Sequence, residues 1–267
     1  MTGVTAHVDV LDLERRVKGV YRDVAQHPQE MYHFEMGRAL AERLGYPPEL
    51  LDRLPADAVE SFAGVGYYLD LARPAAGERV LDLGSGSGMD SFALARLVGK
   101  NGRVTGVDMT EEQLTKADGL RSAMGATGAA NVTFLRGYIQ DPPVPDASVE
   151  LVVSNGVVNL APDKAVVFAA AARALVPGGR MAIADIVSEK PLTEAITCNA
   201  ELWASCIGGA TQVDAYLSAI EDAGLHVVEV RDNPHYRFLS DSAQGATRTY
   251  GIKSISLLAR KPAASAR

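Results

Sequence analysis

Cysteine is scarce in this chain, and its scarcity excludes a disulfide framework. Only two cysteines, Cys198 and Cys206, occur among the 267 residues. Two thiols cannot build the set of bridges that holds small secreted domains together, so we expect a reducing, cytoplasmic setting. The 5 histidines show no spacing typical of metal ligands, and the sequence therefore predicts no metal site.

Long apolar runs and an excess of positive charge are also missing. The most apolar stretch, residues 165–176, is interrupted by Arg173 and is too short to cross a bilayer. The N-terminus lacks the basic start and apolar run of a signal peptide. The formal net charge of -7 repels the phosphate backbones of nucleic acids. These absences leave a small molecule as the expected partner, with no membrane and no nucleic acid.

The first part of the chain shows a helical pattern. Apolar residues recur at helical spacing over residues 11–24, and a second helix is predicted over residues 30–44. Prolines separate further short helices beyond that point. The sequence therefore predicts an N-terminal helical arm and cap over residues 1–75, followed by a core over residues 76–262.

From residue 79 onward, short apolar strands alternate with helices. This alternation is typical of a parallel sheet covered by helices on both faces. Two late strands have no helical pattern between them, and we expect them to pair antiparallel at one edge. The predicted fold class is α/β, a doubly wound, mostly parallel seven-stranded sheet (Rossmann-like) with an N-terminal helical cap. The predicted strands are residues 80–83, 103–107, 132–135, 151–154, 180–187, 227–230 and 254–259, and the predicted core helices are residues 90–98, 111–124, 163–175 and 213–223.

The first core strand leads into a glycine-rich turn. Glycines let the backbone approach a ligand closely and present its N–H groups at a helix N-terminus. A nicotinamide-dinucleotide fingerprint needs a third glycine where this chain has Met89. A carboxylate just before the turn suits a ligand with an ammonium group better than one with a pyrophosphate. The alternative is a tight turn that binds nothing. The candidate residues are Asp82, Gly84, Ser85, Gly86 and Gly88.

Two further candidate sites follow the next two strands. Asp108, with Met109 after it, ends the second strand, where a carboxylate can accept both ribose hydroxyls. The alternative role for Asp108 is to cap the next helix. Gly137, Tyr138 and Ile139 follow the third strand and are candidates to frame an adenine ring, with core packing as the alternative. All of these residues fall at the carboxyl ends of strands, where open α/β sheets bind ligands.

Together these motifs resemble those of the class I S-adenosylmethionine-dependent methyltransferases. The resemblance depends on residues 82–88, 108 and 137–139 and on Pro177-Gly178-Gly179, and it covers about residues 79–261. It implies S-adenosylmethionine as the cofactor, with the glycine turn around its amino-acid part and Asp108 on its ribose. It also implies that Ser154 and Asn155 lie close to the methionine part.

Within that family, the arsenite methyltransferase branch is the most similar. Residues 154–160, 162–164, 184–186 and 206–210 carry this likeness. Trivalent arsenic is soft and is held by several thiolates. Gly156 and Ile252 occupy positions where that branch is expected to have cysteine, which leaves Cys206 alone. One chain therefore cannot build a three-thiolate pocket, and we expect shared ancestry with a changed acceptor. The alternative for Cys206 is a buried, small apolar residue.

Aromatic residues are the candidates to line the acceptor site in place of thiols. Aromatic faces stabilise a nearby cation by about 0.5–2 kcal/mol each, which suits methylation of an alkene through a carbocation. The chain also resembles bacterial C-methyltransferases of terpenoid chains, of the kind found in the teleocidin pathway. The alternative is that these rings only pack the cap against the core. The substrate-binding candidates are Tyr32, Phe34, Tyr67, Tyr68, Trp203 and Cys206.

The predicted function is C-methylation of the prenyl chain of an indole alkaloid or a similar secondary metabolite. The alternatives are an arsenite S-methyltransferase and a non-catalytic scaffold that binds the cofactor. Tyr21, His33 and Glu201 are candidates to remove a proton from the acceptor or to hold its polar group. The helix over residues 11–24 has an apolar face that docks either on its own core or on another subunit, which predicts a homo-oligomer.

Overall fold

A computed structural model describes residues 9–125, 130–198, 203, 207–239 and 241–264. Its helices and strands alternate in the core as the sequence predicts. In chain order the elements are α1 (Val10–Gln26), α2 (Gly37–Leu44), α3 (Pro48–Leu51), α4 (Ala56–Glu60), α5 (Leu69–Ala72), β1 (Arg79–Leu83), α6 (Met89–Val98), β2 (Arg103–Asp108), α7 (Glu111–Ala123), β3 (Val132–Arg136), β4 (Val149–Asn155), a 3₁₀ turn (Val158–Leu160), α8 (Lys164–Ala174), β5 (Leu175–Ser188), α9 (Glu194–Thr197), β6 (Thr211–Gln212), α10 (Val213–Asp222), β7 (His226–Asp232), α11 (Asp241–Tyr250) and β8 (Lys253–Arg260).

The strands form one mostly parallel sheet in the order β3-β2-β1-β4-β5-β8-β7, and the two-residue β6 pairs with β5. The strands from β3 to β5 run parallel, whereas β8 is antiparallel to both β5 and β7. The predicted fold class is confirmed. The expected antiparallel edge is also present, with β7 outermost.

Alternating residues of the buried strands pack against different layers. In β4, Leu151 and Val153 belong to the apolar cluster that includes the N-terminal helices, whereas Val152 belongs to the cluster on the other face. On that other face, the ring of Phe168 in α8 meets the ring of Tyr216 in α10 edge-on, with centroids 5.1 Å apart. Because successive strand side chains point to opposite faces, an apolar strand with helices on both sides is buried completely.

The second predicted helix is shorter than expected, since α2 begins at Gly37 and not at residue 30. Gly37 has φ of +78°, and its backbone N–H donates to the carbonyl of Phe62 instead of continuing a helix. The preceding residues form a turn in which the rings of Tyr32 and Phe34 stack with centroids 5.7 Å apart. The prediction of helix over residues 30–36 was therefore wrong.

The absence of a helix between the two late strands was also predicted wrongly. The structure contains α11 there. Its segment includes Gly245 and two threonines, Thr247 and Thr249, all with low helix propensity. Packing compensates, because Ala243 is 4% exposed and belongs to the main apolar cluster.

The apolar face of α1 is covered by its own chain. Leu13, Val17 and Val24 are buried, and the helix packs mainly against α7. Two side chains of α7 donate to carbonyls near the end of α1: Gln113 Nε2 to Tyr21 O at 2.7 Å, and Lys116 Nζ to Ala25 O at 3.1 Å. On the outer face of α1, the side chain of Leu11 is 79% exposed. Assembly through this helix stays a prediction, as does the division into residues 1–75 and 76–262.

In the described part of the chain, no helix combines the length and apolar character needed to cross a bilayer.

Two leucines on α1 provide a matched test of this packing. Leu13 is 2% exposed and Leu11 is 79% exposed. We expect Leu13→Ala to lower the free energy of unfolding by about 2–5 kcal/mol, because it leaves a cavity in the apolar cluster that Leu13 shares with residues of α7. Leu11→Ala should change it by about 0.5 kcal/mol or less. Urea titrations measure both values, and equal effects would contradict the docking of α1. Gel filtration of Leu11→Ala tests assembly through the exposed face, since a smaller species would support it.

Candidate active site

A cleft lies at the carboxyl ends of β1, β2 and β4 and beside the loop after β3. The glycine turn after β1 forms its floor, and α1 contributes Leu13, Val17 and Tyr21 to its cover. Phe62, from the loop after α4, adds a second aromatic side chain to the lining. The sheet order therefore brings the separate sequence motifs into one site.

Two glycines of the turn serve different purposes. Gly84 and Gly86 have φ of +77° and +52°, in the left-handed region that favours glycine. A Cβ on Gly84 would lie 2.4 Å from Val157 Cγ2, so Gly84 permits close packing. A Cβ on Gly86 would meet only Gln113 Oε1, at 3.6 Å, so Gly86 leaves space in the cleft.

Two carboxylates flank the turn. Asp82 is buried and accepts a hydrogen bond from Ser91 Oγ at 2.6 Å. Burial, and then repulsion from Asp90, raises the pKa of Asp82 to about 8. Asp108 accepts hydrogen bonds from the backbone N–H groups of Gly86, at 2.9 Å, and Thr110, at 2.8 Å. Burial raises the pKa of Asp108 as well. Asp108 thus holds the turn between β2 and α7 and also faces the cleft.

The loop after β3 is joined to α1 across the cleft. Tyr138 donates its hydroxyl to Glu14 Oε1 at 2.8 Å, and Lys18 Nζ lies 5.2 Å from the centre of its ring. Ile139 is buried and lines the same end of the cleft. Tyr138 is 46% exposed, so it forms part of the rim.

Asp90, in the first turn of α6, is the acidic residue that the sequence reasoning missed. Its carboxylate accepts hydrogen bonds from Tyr46 Oη at 2.6 Å, Tyr68 Oη at 3.0 Å and Asn155 Nδ2 at 3.2 Å. Asn155 Oδ1 accepts in turn from the N–H of Val65 at 2.8 Å. These contacts tie the cap to the end of β4. An acidic residue in a first helical turn is common for reasons of helix polarity alone, so its position in the sequence carried no signal of this role.

Most of the predicted cofactor residues line the cleft together with Tyr21. Gly88 and Ser154 do not: a Cβ on Gly88 would lie 2.7 Å from the ring of Phe134, and Ser154 Oγ donates to Leu83 O at 2.8 Å. Both residues support the floor from behind. Those that line the cleft are Asp82, Gly84, Ser85, Gly86, Asp108, Met109, Gly137, Tyr138, Ile139 and Asn155.

The predicted acceptor aromatics are placed differently. Tyr68 is fully buried with its hydroxyl on Asp90, and Trp203 is 6% exposed. Phe34 is buried, with the imidazole of His33 edge-on to its ring at 4.6 Å. The described cleft lining contains none of Tyr32, His33, Phe34, Tyr67, Tyr68 and Trp203. These side chains pack the cap and the core, and Tyr21, Phe62 and Tyr138 supply the aromatic lining. Glu201 and Cys206 lie outside the described residues.

The chemistry of the cleft fits a cationic ligand with polar groups. Within the described ranges, no lysine or arginine forms an ion pair with Asp82, Asp90 or Asp108. Ser85 Oγ is buried in the lining without a hydrogen-bond partner. A sulfonium nucleoside with an ammonium group supplies the missing positive charge and hydrogen-bonding groups. No group of three metal-ligating side chains occurs in the part of the chain that the structure describes.

Known proteins similar to this chain include arsenite methyltransferases. The arsenite methyltransferase of Halobacterium salinarum is 41% identical over 226 residues, which are 84% of this chain and 56% of that protein. The chain thus spans about half the length of that relative. The crystal structure of an arsenic(III) S-adenosylmethionine methyltransferase from Chlamydomonas reinhardtii is 29% identical, with a TM-score of 0.63 over 87% of this chain and 76% of that one.

A geranyl diphosphate C-methyltransferase from Streptomyces coelicolor has the same fold. Its TM-score is 0.67 over 95% of this chain and 99% of that one, at 17% identity, and it was crystallised with S-adenosyl-L-homocysteine. A family model described as a methyltransferase domain matches residues 74–224, from the end of the cap through α10. The match includes every predicted cofactor-binding residue. The chain belongs to this family of S-adenosylmethionine-dependent methyltransferases.

Proposed function

We propose that this enzyme methylates a trivalent arsenic species. The observation that carries the proposal is its 41% identity, over 84% of the chain, to an arsenite methyltransferase. This supports the arsenite alternative above C-methylation of a prenyl chain. The structural likeness to the geranyl diphosphate enzyme, at 17% identity, concerns the fold alone. Family membership favours an enzyme over a non-catalytic scaffold.

The cofactor supplies an activated methyl group on a positively charged sulfur, so the protein needs only to bind, orient and exclude water. The arsenic lone pair forms the new As–C bond as the S–C bond breaks, and that bonding pair stays on sulfur. Positive charge therefore passes from sulfur to arsenic. The apolar side chains of Tyr21, Phe62 and Leu160 line the cleft and exclude water. Well-oriented reactants can lower a barrier by about 7–11 kcal/mol in this way.

The number of thiols limits how arsenic is held. The chain has two cysteines, Cys198 and Cys206, so at most two arsenic–sulfur bonds come from one chain. Cys198 is half-buried at the end of α9. We infer that a small thiol, such as glutathione, occupies the third position on arsenic. Soft trivalent arsenic then enters the cleft as a mixed protein and small-molecule thiolate.

The acceptor assignment is tested with the two cysteines. We expect the purified protein to methylate arsenite in the presence of glutathione, and Cys198→Ser/Cys206→Ser to lower that rate at least about a hundredfold, because oxygen is a poor ligand for soft arsenic. The affinity for S-adenosylhomocysteine, measured by calorimetry, should stay within twofold and is the internal control. An unchanged rate in the double variant would contradict the proposal.

C-methylation of a prenyl chain is the second candidate, and the shortage of thiols favours it. In that reaction an alkene carbon attacks the methyl group, a carbocation forms, and a proton leaves from the adjacent carbon. Of the described candidates to accept that proton, Tyr21 lines the cleft. His33 does not line it, and its imidazole is edge-on to the ring of Phe34. Mass spectrometry of prenylated indoles incubated with labelled cofactor tests this candidate. A gain of one methyl that survives the loss of both cysteines would support it over arsenic.

A buried carboxyl group links cofactor binding to pH. Burial and the charge of Asp90 raise the pKa of Asp82 to about 8, so we expect Asp82 to be mostly protonated at pH 7 in the free protein. A bound cation favours the ionised carboxylate. Binding of S-adenosylmethionine should therefore release a proton from Asp82 below pH 8, and its affinity should rise as the pH approaches 8.

The control for this prediction is Asp82→Asn. The ammonium group of the cofactor itself titrates near pH 8, and its contribution is present in both proteins. At pH 8 we expect Asp82→Asn to bind about tenfold more weakly than the wild type, since a hydrogen bond to a charged group is lost. Calorimetry at pH 7 in two buffers of different ionisation enthalpy counts the protons released. Equal proton release by both proteins would show that Asp82 does not titrate with binding.

A further inference from the structure

A buried lysine lies directly behind the cleft. Lys164, the first residue of α8, is 8% exposed. Its Nζ donates to the carbonyls of Asn159, at 3.1 Å, and Ala161, at 3.0 Å. The same Nζ lies 4.9 Å from the centre of the Trp203 ring, a cation–π contact. One ammonium group therefore joins the loop after β4 to Trp203.

The loop that Lys164 holds is part of the cleft. Val157, Leu160, Ala161 and Pro162 line it, and we call residues 157–162 the β4 wall. In the sheet order, β4 lies on one side of β1, and β2 and β3 lie on the other. The residues expected to hold the nucleoside follow β2 and β3. The β4 wall is therefore on the opposite side of the cleft, next to Ser154 and Asn155, which are expected to lie close to the methionine part of the cofactor.

A second layer of buried polar groups fixes the same wall. Asn159 is fully buried, and its Nδ2 donates to Asp185 Oδ1 at 2.7 Å. Tyr216 Oη donates to the other oxygen of Asp185 at 2.6 Å. A Cβ on Gly209 would lie 1.9 Å from Asn159 O, so the backbone there packs directly on the wall. The wall has little freedom to move while these contacts hold.

We propose that Lys164 is a positioning residue for methyl transfer: its ammonium group holds the β4 wall against Trp203, and this hold weakens when the group loses its charge. The proposal rests on the cleft being the site of methyl transfer and not on arsenic being the acceptor. A charged donor forms hydrogen bonds roughly twice as strong as those of a neutral one. Loss of the proton also removes the attraction to the Trp203 ring.

The charged and titratable groups around Lys164 come from three elements. Asp163 precedes it, Asp185 faces it from β5, and Tyr216 of α10 is bonded to Asp185. Burial lowers the pKa of Lys164 to about 8, against the opposing effects of Asp185 and Asp163. Burial raises the pKa of Asp185 and holds that of Tyr216 well above its usual value. Lys164 is thus the member of this group expected to titrate near pH 8.

The fluorescence of Trp203 reports on this contact directly, because the chain contains 1 tryptophan. We expect the emission of the wild type, excited at the red edge of indole absorption, to change with pH with a midpoint near pH 8. Lys164→Met should abolish this transition, and Asp82→Asn should retain it although Asp82 titrates in the same range. Lys190→Met, at an exposed lysine, is the matched control and should also retain it. Absence of the transition in the wild type, or its survival in Lys164→Met, would overturn the proposal.

Coupling to the cleft is tested without an acceptor. If the ammonium group holds the β4 wall, saturating S-adenosylhomocysteine should raise the midpoint of the Trp203 transition by at least 0.3 pH unit, about a twofold coupling. The shift should persist in Asp82→Asn, which excludes a purely electrostatic effect of Asp82. A midpoint that S-adenosylhomocysteine leaves unchanged would show that Lys164 and the cleft are independent. This result would refute the positioning role whatever the acceptor proves to be.

Discussion

Three carboxyl groups are buried at the ends of the central strands without a neighbouring cation. Asp82, Asp90 and Asp108 surround one cleft, and the partners described for them are hydroxyl, amide and backbone N–H groups. Such donors lower the cost of burying a carboxylate but do not neutralise it. The start of α6 adds the favourable end of a helix dipole next to Asp90. A positive ligand in the cleft therefore favours the ionised form of these carboxyl groups, and the rest of the fold positions residues around them.

The cap covers the cleft and also fixes its geometry. Its tyrosines, Tyr46 and Tyr68, reach across to the core and end on Asp90, while α1 closes the cleft from above. Since Asn155 at the end of β4 bonds to both Asp90 and the cap backbone, the cap and the sheet cannot shift independently. The same hydrogen bonds that satisfy a buried carboxylate therefore also fix the width of the cleft.

The sequence predicts the sheet, the glycine turn and the residues at the strand ends, because these depend on local patterns. An apolar strand indicates that the strand is buried, and glycines just after it indicate a tight turn. The role of Asp90 was not predictable in this way, since its three partners lie 22 to 65 residues away along the chain. The placement of Tyr68 was also not predictable from the sequence. A tyrosine in a cap suggests a binding surface, but only tertiary packing shows that its hydroxyl is occupied. Helix α11 escaped detection because packing of Ala243, and not helix propensity, supports it.

The position of β8 between β5 and β7 has a consequence for biosynthesis. β7 precedes β8 in the chain, yet it reaches the sheet only through β8. While the ribosome is still adding β8, the β5 edge has no antiparallel neighbour and β7 has no strand to pair with. Exposed strand edges of this kind invite pairing with other chains. The nascent chain therefore passes through an interval in which two strand edges are open to pairing with other chains.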